Sequence, residues 1–309
     1  MSFSTDVKNE LIQQMPNARH CRIAELAAIF MMAGEMKDGR MYLASENETV
    51  IQRGAALFKK LFGVEPVSGA ENVRRNAKTV YRAAFTKEEA ELAIETLKLD
   101  ENLLVSSLVF RQDCCKRAFL RGMFIACGSI SDPNKDYHLE IIADDDNRAA
   151  IAVNILASFD IDAKIVHRKK YSVVYLKDGE CIVDVLNIIG AHVCLMELEN
   201  VRILKEMRNS VNRRVNCEAA NIDKTIKAAT RQIDDINYLR ETIGFEHLSD
   251  DLRMTAELRL AHPECSLAEL GGLHDRPVGR SGVNHRLEKL SDMADRLRLG
   301  KPVYEKMED

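Results

Sequence analysis

Two glycine-ended apolar segments, Leu26-Ala-Ala-Ile-Phe-Met-Met-Ala-Gly34 and Leu120-Arg-Gly-Met-Phe-Ile-Ala-Cys-Gly128, stand 94 residues apart in register. A repeat of this kind constrains the fold before any local reading, because two copies of one unit can bury their apolar faces against each other. Each segment reads as a helix whose small residues permit close packing and whose final glycine supplies a left-handed C′ position. The expected core is helix against helix, one from each copy. Neither segment carries an acidic residue.

The elements that follow repeat as well. In the first copy Met41–Ala44 reads as a short strand and Thr49–Phe62 as a helix stopped by Gly63. Strands Val64–Val67 and Thr79–Phe85 follow, joined by the basic stretch Arg74-Arg75-Asn76-Ala77-Lys78, and Thr86 and Glu89 stand in capping-box spacing for a helix to Leu97. The second copy gives a strand at His138–Ile142, a helix from Asp146 to Phe159, a hairpin of Ala163–Val166 and Tyr171–Leu176, and a helix from Glu180 to Ile189 ended by Gly190. Its hairpin turn is His167-Arg168-Lys169-Lys170, so both copies place a basic tip at the corresponding point. One such tip is a solvated turn on the simplest reading; its repetition favours a surface that faces phosphate, with Lys169 and Lys170 as candidate contacts.

Composition bounds the class. With 46% hydrophobic and 30% charged residues, the chain reads as a globular protein of two or three domains. No apolar run approaches the roughly 18 residues of a membrane span, and the N-terminal Met-Ser-Phe-Ser-Thr-Asp-Val-Lys lacks a signal-peptide core, so a cytoplasmic, nucleoid-associated location is expected. The eight cysteines (Cys21, Cys114, Cys115, Cys127, Cys181, Cys194, Cys217 and Cys265) form no Cys-x-x-Cys pair and read as free, buried thiols. His262-Pro-Glu-Cys265 resembles half a metal site with no second pair beside it; no metal and no cofactor are expected.

From about Glu197 the pattern becomes helical throughout. Residues 200–232 hold eight Lys or Arg against three acids, although the whole chain has a net charge of -4. Arg213 and Arg214 lie in this stretch as candidate phosphate contacts, a plain linker helix with a solvated basic face being the alternative. A break is expected near Asn216–Asn221, since Asn is poor inside a helix and good at a cap.

Residues 248–298 divide into three short helices. The first runs from about Asp250 to His262 and is ended by Pro263; the second opens with the capping box Ser266-Leu-Ala-Glu269 and buries Leu267, Leu270 and Leu273; the third starts at Arg280. In the third, Val283, Leu287 and Leu290 fall at i, i+4 and i+7 and define the buried stripe. At about 100° per residue, Ser281, His285 and Glu288 lie opposite, Asn284 and Lys289 flank them, and Arg286 lies nearer the core edge. This is helix-turn-helix organisation, and the side chains suit a major groove: Asn can pair bidentately with adenine, and Arg280 can reach guanine or a phosphate. A small helical bundle with an ordinary polar face is the alternative.

The stretches Ser210-Val-Asn-Arg-Arg-Val-Asn-Cys-Glu-Ala-Ala-Asn-Ile-Asp-Lys224, Ser281-Gly-Val-Asn-His-Arg-Leu-Glu-Lys-Leu290 and Phe119-Leu-Arg-Gly-Met-Phe-Ile-Ala-Cys-Gly-Ser-Ile-Ser-Asp-Pro133 resemble the WhiA family of bacterial transcription regulators. The likeness covers nearly the whole chain from Asp6-Val-Lys-Asn-Glu-Leu11 onward. It implies an α+β fold: a duplicated domain shaped like a LAGLIDADG homing endonuclease over residues 1–196 (copies at about 1–100 and 110–196), a helical connector over 197–245, an all-α helix-turn-helix domain over 246–300 and a tail over 301–309. It also implies control of sporulation or cell-division genes in Gram-positive bacteria. One departure is Gly279, where the family commonly has Ser.

In LAGLIDADG nucleases the acid just before the terminal glycine of each central helix binds the catalytic divalent metal. The corresponding residues here are Ala33 and Cys127, and neither a methyl nor a thiol offers a hard oxygen ligand. The expectation is a sequence-specific DNA-binding regulator without catalysis. Its partner would be double-stranded DNA, with another transcription factor or an RNA polymerase subunit as a further candidate. No membrane partner is expected, and oligomeric state is left open. The expected DNA contacts are Arg280, Ser281, Asn284, His285, Arg286, Lys289, Arg213, Arg214, Lys169 and Lys170. Two rivals remain: a metal-dependent nuclease using the displaced acids Glu35 and Asp132, and an N-terminal protein-interaction platform.

Overall fold

The computed structural model describes residues 2–37, 40–69 and 79–302; the basic stretch Arg74–Lys78 lies outside the described residues. The chain divides into two compact units, Met1–Glu206 and Met207–Asp309.

In the first unit a leading helix α1 (Phe3–Ile12) is followed by two copies of one helix–strand motif. Copy one is α2 (Arg19–Ala33), β1 (Gly34–Lys37), β2 (Arg40–Ser45), α3 (Glu48–Phe62), β3 (Val67–Gly69), β4 (Tyr81–Phe85) and α4 (Lys87–Leu97). Copy two is α5 (Asp113–Cys127), β5 (Gly128–Ile130), β6 (Leu139–Ala143), α6 (Asp146–Ala157), β7 (Lys164–Arg168), β8 (Tyr171–Leu176) and α7 (Gly179–Ile189). The sheets are antiparallel and share one topology, β1-β2-β4-β3 and β5-β6-β8-β7.

The central helices pack as the repeat predicts. Ala24 and Leu26–Phe30 of α2 and Ala118–Leu120 and Met123–Ile125 of α5 are almost fully buried in one core. Each sheet lays one face on that core: Met41, Leu43, Ala83 and Phe85 in the first, Leu139, Ile141, Val174 and Leu176 in the second. Strand alternation leaves the other face open.

Several sequence expectations are corrected. Gly34 and Gly128 are not left-handed: their φ values are both -80° with ψ of 142° and 150°, extended backbone that opens β1 and β5 directly from the helix ends. Glycine is needed there for space, since a Cβ would fall 2.3 Å from the Phe30 carbonyl oxygen at Gly34 and 2.4 Å from the Phe124 ring at Gly128. Gly63 and Gly190, with φ of 74° and 93°, do end α3 and α7 in the left-handed region. β3 starts at Val67, not Val64, and β7 runs through Arg168, which shortens the second turn to Lys169 and Lys170.

The connector is one helix, α8 (His192–Thr242), 51 residues without the expected break at Asn216–Asn221. Residues 192–242 contain neither Gly nor Pro. An interior Asn costs only about 0.5 kcal/mol relative to Ala, too little by itself to end a helix that no Gly or Pro interrupts.

The second unit adds α9 (Asp250–Ala261), α10 (Leu267–Gly272) and α11 (Arg280–Arg298) to the end of α8. Its core is Ile236 and Leu239 of α8 with Leu248, Leu252, Ala256, Leu270, Val283, Leu287, Leu290, Met293 and Ala294. The end of α8 is also held by charge: Asp235, 1% exposed, accepts from Arg298 Nη1 at 2.6 Å, and the Arg298 guanidinium lies 4.9 Å from the Tyr238 ring centre. The last two turns of the connector therefore complete the trihelical unit.

Candidate nucleic-acid interface

The helix-turn-helix is built by α10 and α11. Ser266 Oγ accepts from the Glu269 amide at 3.3 Å and the Glu269 carboxylate accepts from the Ser266 amide at 2.8 Å, closing the predicted capping box. Leu270 is buried and Leu267 half-buried against the core, but Leu273 is 45% exposed and does not join it. Its place is taken by His274, one turn beyond Leu270: the ring Nδ1 lies 2.9 Å from the Leu270 carbonyl and Nε2 lies 2.9 Å from Thr255 Oγ1.

The turn closes where the Val278 amide donates to the Gly271 carbonyl at 2.9 Å. A Cβ on Gly271 would fall 2.0 Å from the Val278 carbonyl oxygen, so only glycine admits this return. Gly279 then caps α11 without a side-chain hydrogen bond.

With Val283, Leu287 and Leu290 buried, the opposite side of α11 is presented to solvent. Arg280, Ser281, His285, Glu288 and Lys289 are exposed. Asn284 is half-buried, and its Nδ2 donates to Glu288 Oε1 at 2.8 Å. Arg286 is drawn back to α9 by an ion pair of 2.9 Å with Asp251. The expected α11 residues thus divide into four free on the surface (Arg280, Ser281, His285 and Lys289) and two held by carboxylates (Asn284 and Arg286). Lys224, Thr225 and Ala228 of α8 line one cavity with Arg280 and Asn284, so one basic residue of the connector, Lys224, flanks the start of α11 within the second unit.

Arg213 and Arg214 belong to α8, where every residue from 206 to 228 is exposed. In the first unit, Lys169 takes a left-handed φ of 57° at the β7–β8 turn, and Lys170 Nζ stands 4.9 Å from the Tyr171 ring centre. The sheet carrying this turn has an open face that sequence reasoning missed. Register places Lys164 opposite Tyr175 and Arg168 opposite Tyr171, so all four share that face. Lys177 Nζ lies 5.6 Å from the Tyr175 ring, and Arg168 pairs with Glu140 at 3.0 Å. The signal was the period-two pattern of β7 and β8, which separates the face from the core once the strands are paired.

The ends of the paired helices are chemically far from a carboxylate pair. Cys127 Sγ donates to the Met32 carbonyl at 3.5 Å, and burial pushes this thiol up to about 11, with Asp144 adding to the rise and Lys8 and Arg148 opposing it. The Arg148 Nε donates to the Met31 carbonyl at 2.8 Å. Glu35 is engaged by Arg82 at 2.9 Å on the open face of the first sheet. Asp132 accepts from the Asn134 amide at 2.9 Å in a turn, which holds its carboxyl below the usual range.

The cysteines are all free, but only Cys115 and Cys194 are buried, while Cys114 and Cys217 are exposed. No helix among the described residues is long and apolar enough to cross a membrane.

Comparison with known proteins fits this geometry. The WhiA C-terminal HTH domain matches residues 211–294 and the WhiA LAGLIDADG-like domain matches residues 116–208. A "Probable cell division protein WhiA" of Lachnoclostridium phytofermentans is 50% identical, covering 96% of this chain and 100% of the relative. The chain belongs to the WhiA family. A second relative of that description, from Lachnospira eligens, is 44% identical over 96% of this chain and 98% of its own length. The crystal structure of full-length DUF199/WhiA from Thermatoga maritima superposes with a TM-score of 0.59 at 25% identity, covering 96% of this chain and 99% of that one. Membership of the WhiA family makes the α+β body LAGLIDADG-like and the helical C-terminal unit a DNA-binding helix-turn-helix domain.

Proposed function

We propose that this WhiA-family chain is a sequence-specific regulator that binds duplex DNA at sporulation or cell-division genes and does not cleave it. The observation that carries this reading is the exposed start of α11, where Arg280, Ser281 and His285 project beside a fully buried stripe. These side chains read base edges, and Asn284 joins them once released from Glu288. Arg213, Arg214, Lys169, Lys170 and the open face bearing Lys164 and Arg168 hold phosphates and set the protein's register on the duplex.

The absence of cleavage is supported by donor chemistry. Where a nuclease presents paired acids to a divalent cation, this chain has a methyl, a neutral thiol and the cationic groups of Lys8 and Arg148. Glu35 and Asp132 are committed to Arg82 and to a turn. Magnesium held by two carboxylates has no counterpart in that set.

The decisive experiment maps bound sites genome-wide and then compares the mapped duplex with a scrambled one. His285→Ala and Asn284→Ala should each weaken cognate binding by about 1–3 kcal/mol and leave scrambled binding nearly unchanged. Equal losses on both duplexes would reject base readout by α11. Incubation of the pure protein with plasmid and magnesium should leave the plasmid intact; cleavage abolished by Glu35→Ala would favour the nuclease reading instead.

A further inference from the structure

The first unit carries a side-chain cluster that DNA binding does not use. His20 and Cys21 are the second and third residues of α2, and Cys114 and Cys115 are the second and third residues of α5. The two pairs are related by the same 94-residue step that relates Gly34 to Gly128. Packing of the repeat therefore brings two helix starts together, at the opposite end of α2 and α5 from Ala33 and Cys127.

One nitrogen there faces three sulfurs. His20 Nδ1 lies 3.2 Å from Cys115 Sγ, 3.4 Å from Cys21 Sγ and 3.9 Å from Cys114 Sγ, and all four potential ligand atoms fall within 4.8 Å of one another. Zinc bonds of about 2.3 Å to sulfur and 2.0–2.1 Å to nitrogen give a tetrahedron with edges of roughly 3.6 Å (N···S) and 3.8 Å (S···S). The three N···S spacings straddle the first of these edges, and the sulfurs lie within 4.8 Å of one another. Without an ion the thiols are held by weak bonds: Cys21 Sγ donates to the Cys114 carbonyl and Cys114 Sγ to Gln112 Oε1, each at 3.6 Å, while Cys115 Sγ meets His20 Nδ1.

We propose that His20, Cys21, Cys114 and Cys115 form a structural zinc site that clamps the two copies of the repeat together at the N-terminal ends of α2 and α5. Soft sulfur donors select zinc over magnesium or calcium. Three thiolates, a neutral imidazole and a divalent ion carry a net charge of -1, which suits a site between two helix N-termini. Four protein ligands close the coordination sphere, so no position is left for water or substrate and the ion acts on stability alone. Short-range spacing rules could not find it: each copy supplies only two adjacent ligands. The second group of potential ligands, His262, Glu264 and Cys265, offers three atoms from one turn and serves as the internal control.

The test uses the full-length chain, reduced and stripped of metal, titrated with cobalt(II) alone. The expected result is one ion per chain, with the visible bands of tetrahedral cobalt and a near-ultraviolet thiolate-to-cobalt band, both erased by stoichiometric zinc. Loading with zinc should also protect three thiols from a thiol reagent and raise the midpoint of thermal unfolding. Cys21→Ser with Cys114→Ser should lose these signals; Cys265→Ser and Cys217→Ser should keep them. Absence of the thiolate band in the unmutated protein overturns the proposal whatever the variants do, and so does a band that disappears in Cys265→Ser.

Discussion

Gly122 presses on the backbone of Glu25: a Cβ at Gly122 would stand 2.4 Å from the Glu25 carbonyl oxygen and 2.9 Å from the Ala28 Cβ. This close approach sets how tightly α5 packs on α2. Gly122→Ala must therefore push two helices apart in a buried core. Overpacking of this kind costs about 1–3 kcal/mol, and a backbone obstacle puts this case at the upper end. Urea unfolding of the full chain measures it; a loss below about 0.5 kcal/mol, the size of an ordinary surface change, would show that the interface simply yields.

The Glu25 side chain makes the same crossing depend on charge. It is 0% exposed, pairs with Arg53 at 2.6 Å and lies 3.5 Å from Arg121. Arg53 in turn donates to the Ile12 and Gln14 carbonyls, and Arg121 to that of Ile189, so one carboxylate ties the ends of α1 and α7 to both central helices. Glu25→Ala leaves two confined guanidiniums without their anion and should cost about 3–5 kcal/mol. Replacing the pair together, Glu25→Leu with Arg53→Met, should recover much of that loss. If the double variant is no more stable than Glu25→Ala, the pair is not what makes the single change costly.

The register that places Gly122 against α2 was legible in the sequence, because the repeat is carried by glycine and small residues at a fixed step. The first-turn strands were not. β1 and β5 are only four and three residues long and begin at a glycine whose usual meaning after a helix is a left-handed cap. At the interface, the buried stripe of α11 could be read from its spacing, whereas the carboxylate partners of Asn284 and Arg286 could not. Asp251 lies 35 residues before Arg286 and meets it only through tertiary packing. The same limit hid His20 and Cys21 from Cys114 and Cys115.

The two glycines of the helix-turn-helix should respond oppositely to substitution. Gly271→Ala drives a methyl into the Val278 carbonyl and should destabilise the second unit by about 1–3 kcal/mol. Gly279 has φ -65° and ψ 156°, ordinary extended values, and open space where a side chain would go. Gly279→Ser supplies the missing N-cap acceptor and should add a few tenths of a kcal/mol. Unfolding followed by a signal confined to residues 207–309 separates the two, and a destabilising Gly279→Ser would contradict the cap geometry.

The connector and the hairpin turn test phosphate binding by salt dependence. Each cationic side chain that neutralises a phosphate contributes about 0.9 to the slope of log affinity against log salt. Arg213→Ala with Arg214→Ala should therefore flatten that slope by nearly two, and Lys169→Gly with Lys170→Ala by a similar amount. Glycine at 169 also relieves the left-handed φ of 57°, so weaker binding by that variant cannot be ascribed to a strained turn. A slope unchanged in the Arg213 and Arg214 variant would make α8 a plain linker.

Glu288 gives a prediction of the opposite sign. Its carboxylate accepts from Asn284 Nδ2 at 2.8 Å and stands exposed on the face of α11 turned away from the core. Against DNA it has two effects: it repels phosphate, and it occupies the amide that would donate to a base edge. Glu288→Ala removes both, so binding should tighten on every duplex through the charge and tighten further on the cognate duplex through the freed Asn284. In the double variant with Asn284→Ala only the first effect remains. The cognate advantage gained by Glu288→Ala should therefore vanish when Asn284 is also removed, a coupling read directly from a double-mutant cycle in DNA affinity. Additive effects of the two changes would mean that Asn284 does not read the base, and that the specificity of α11 rests on Arg280, Ser281 and His285.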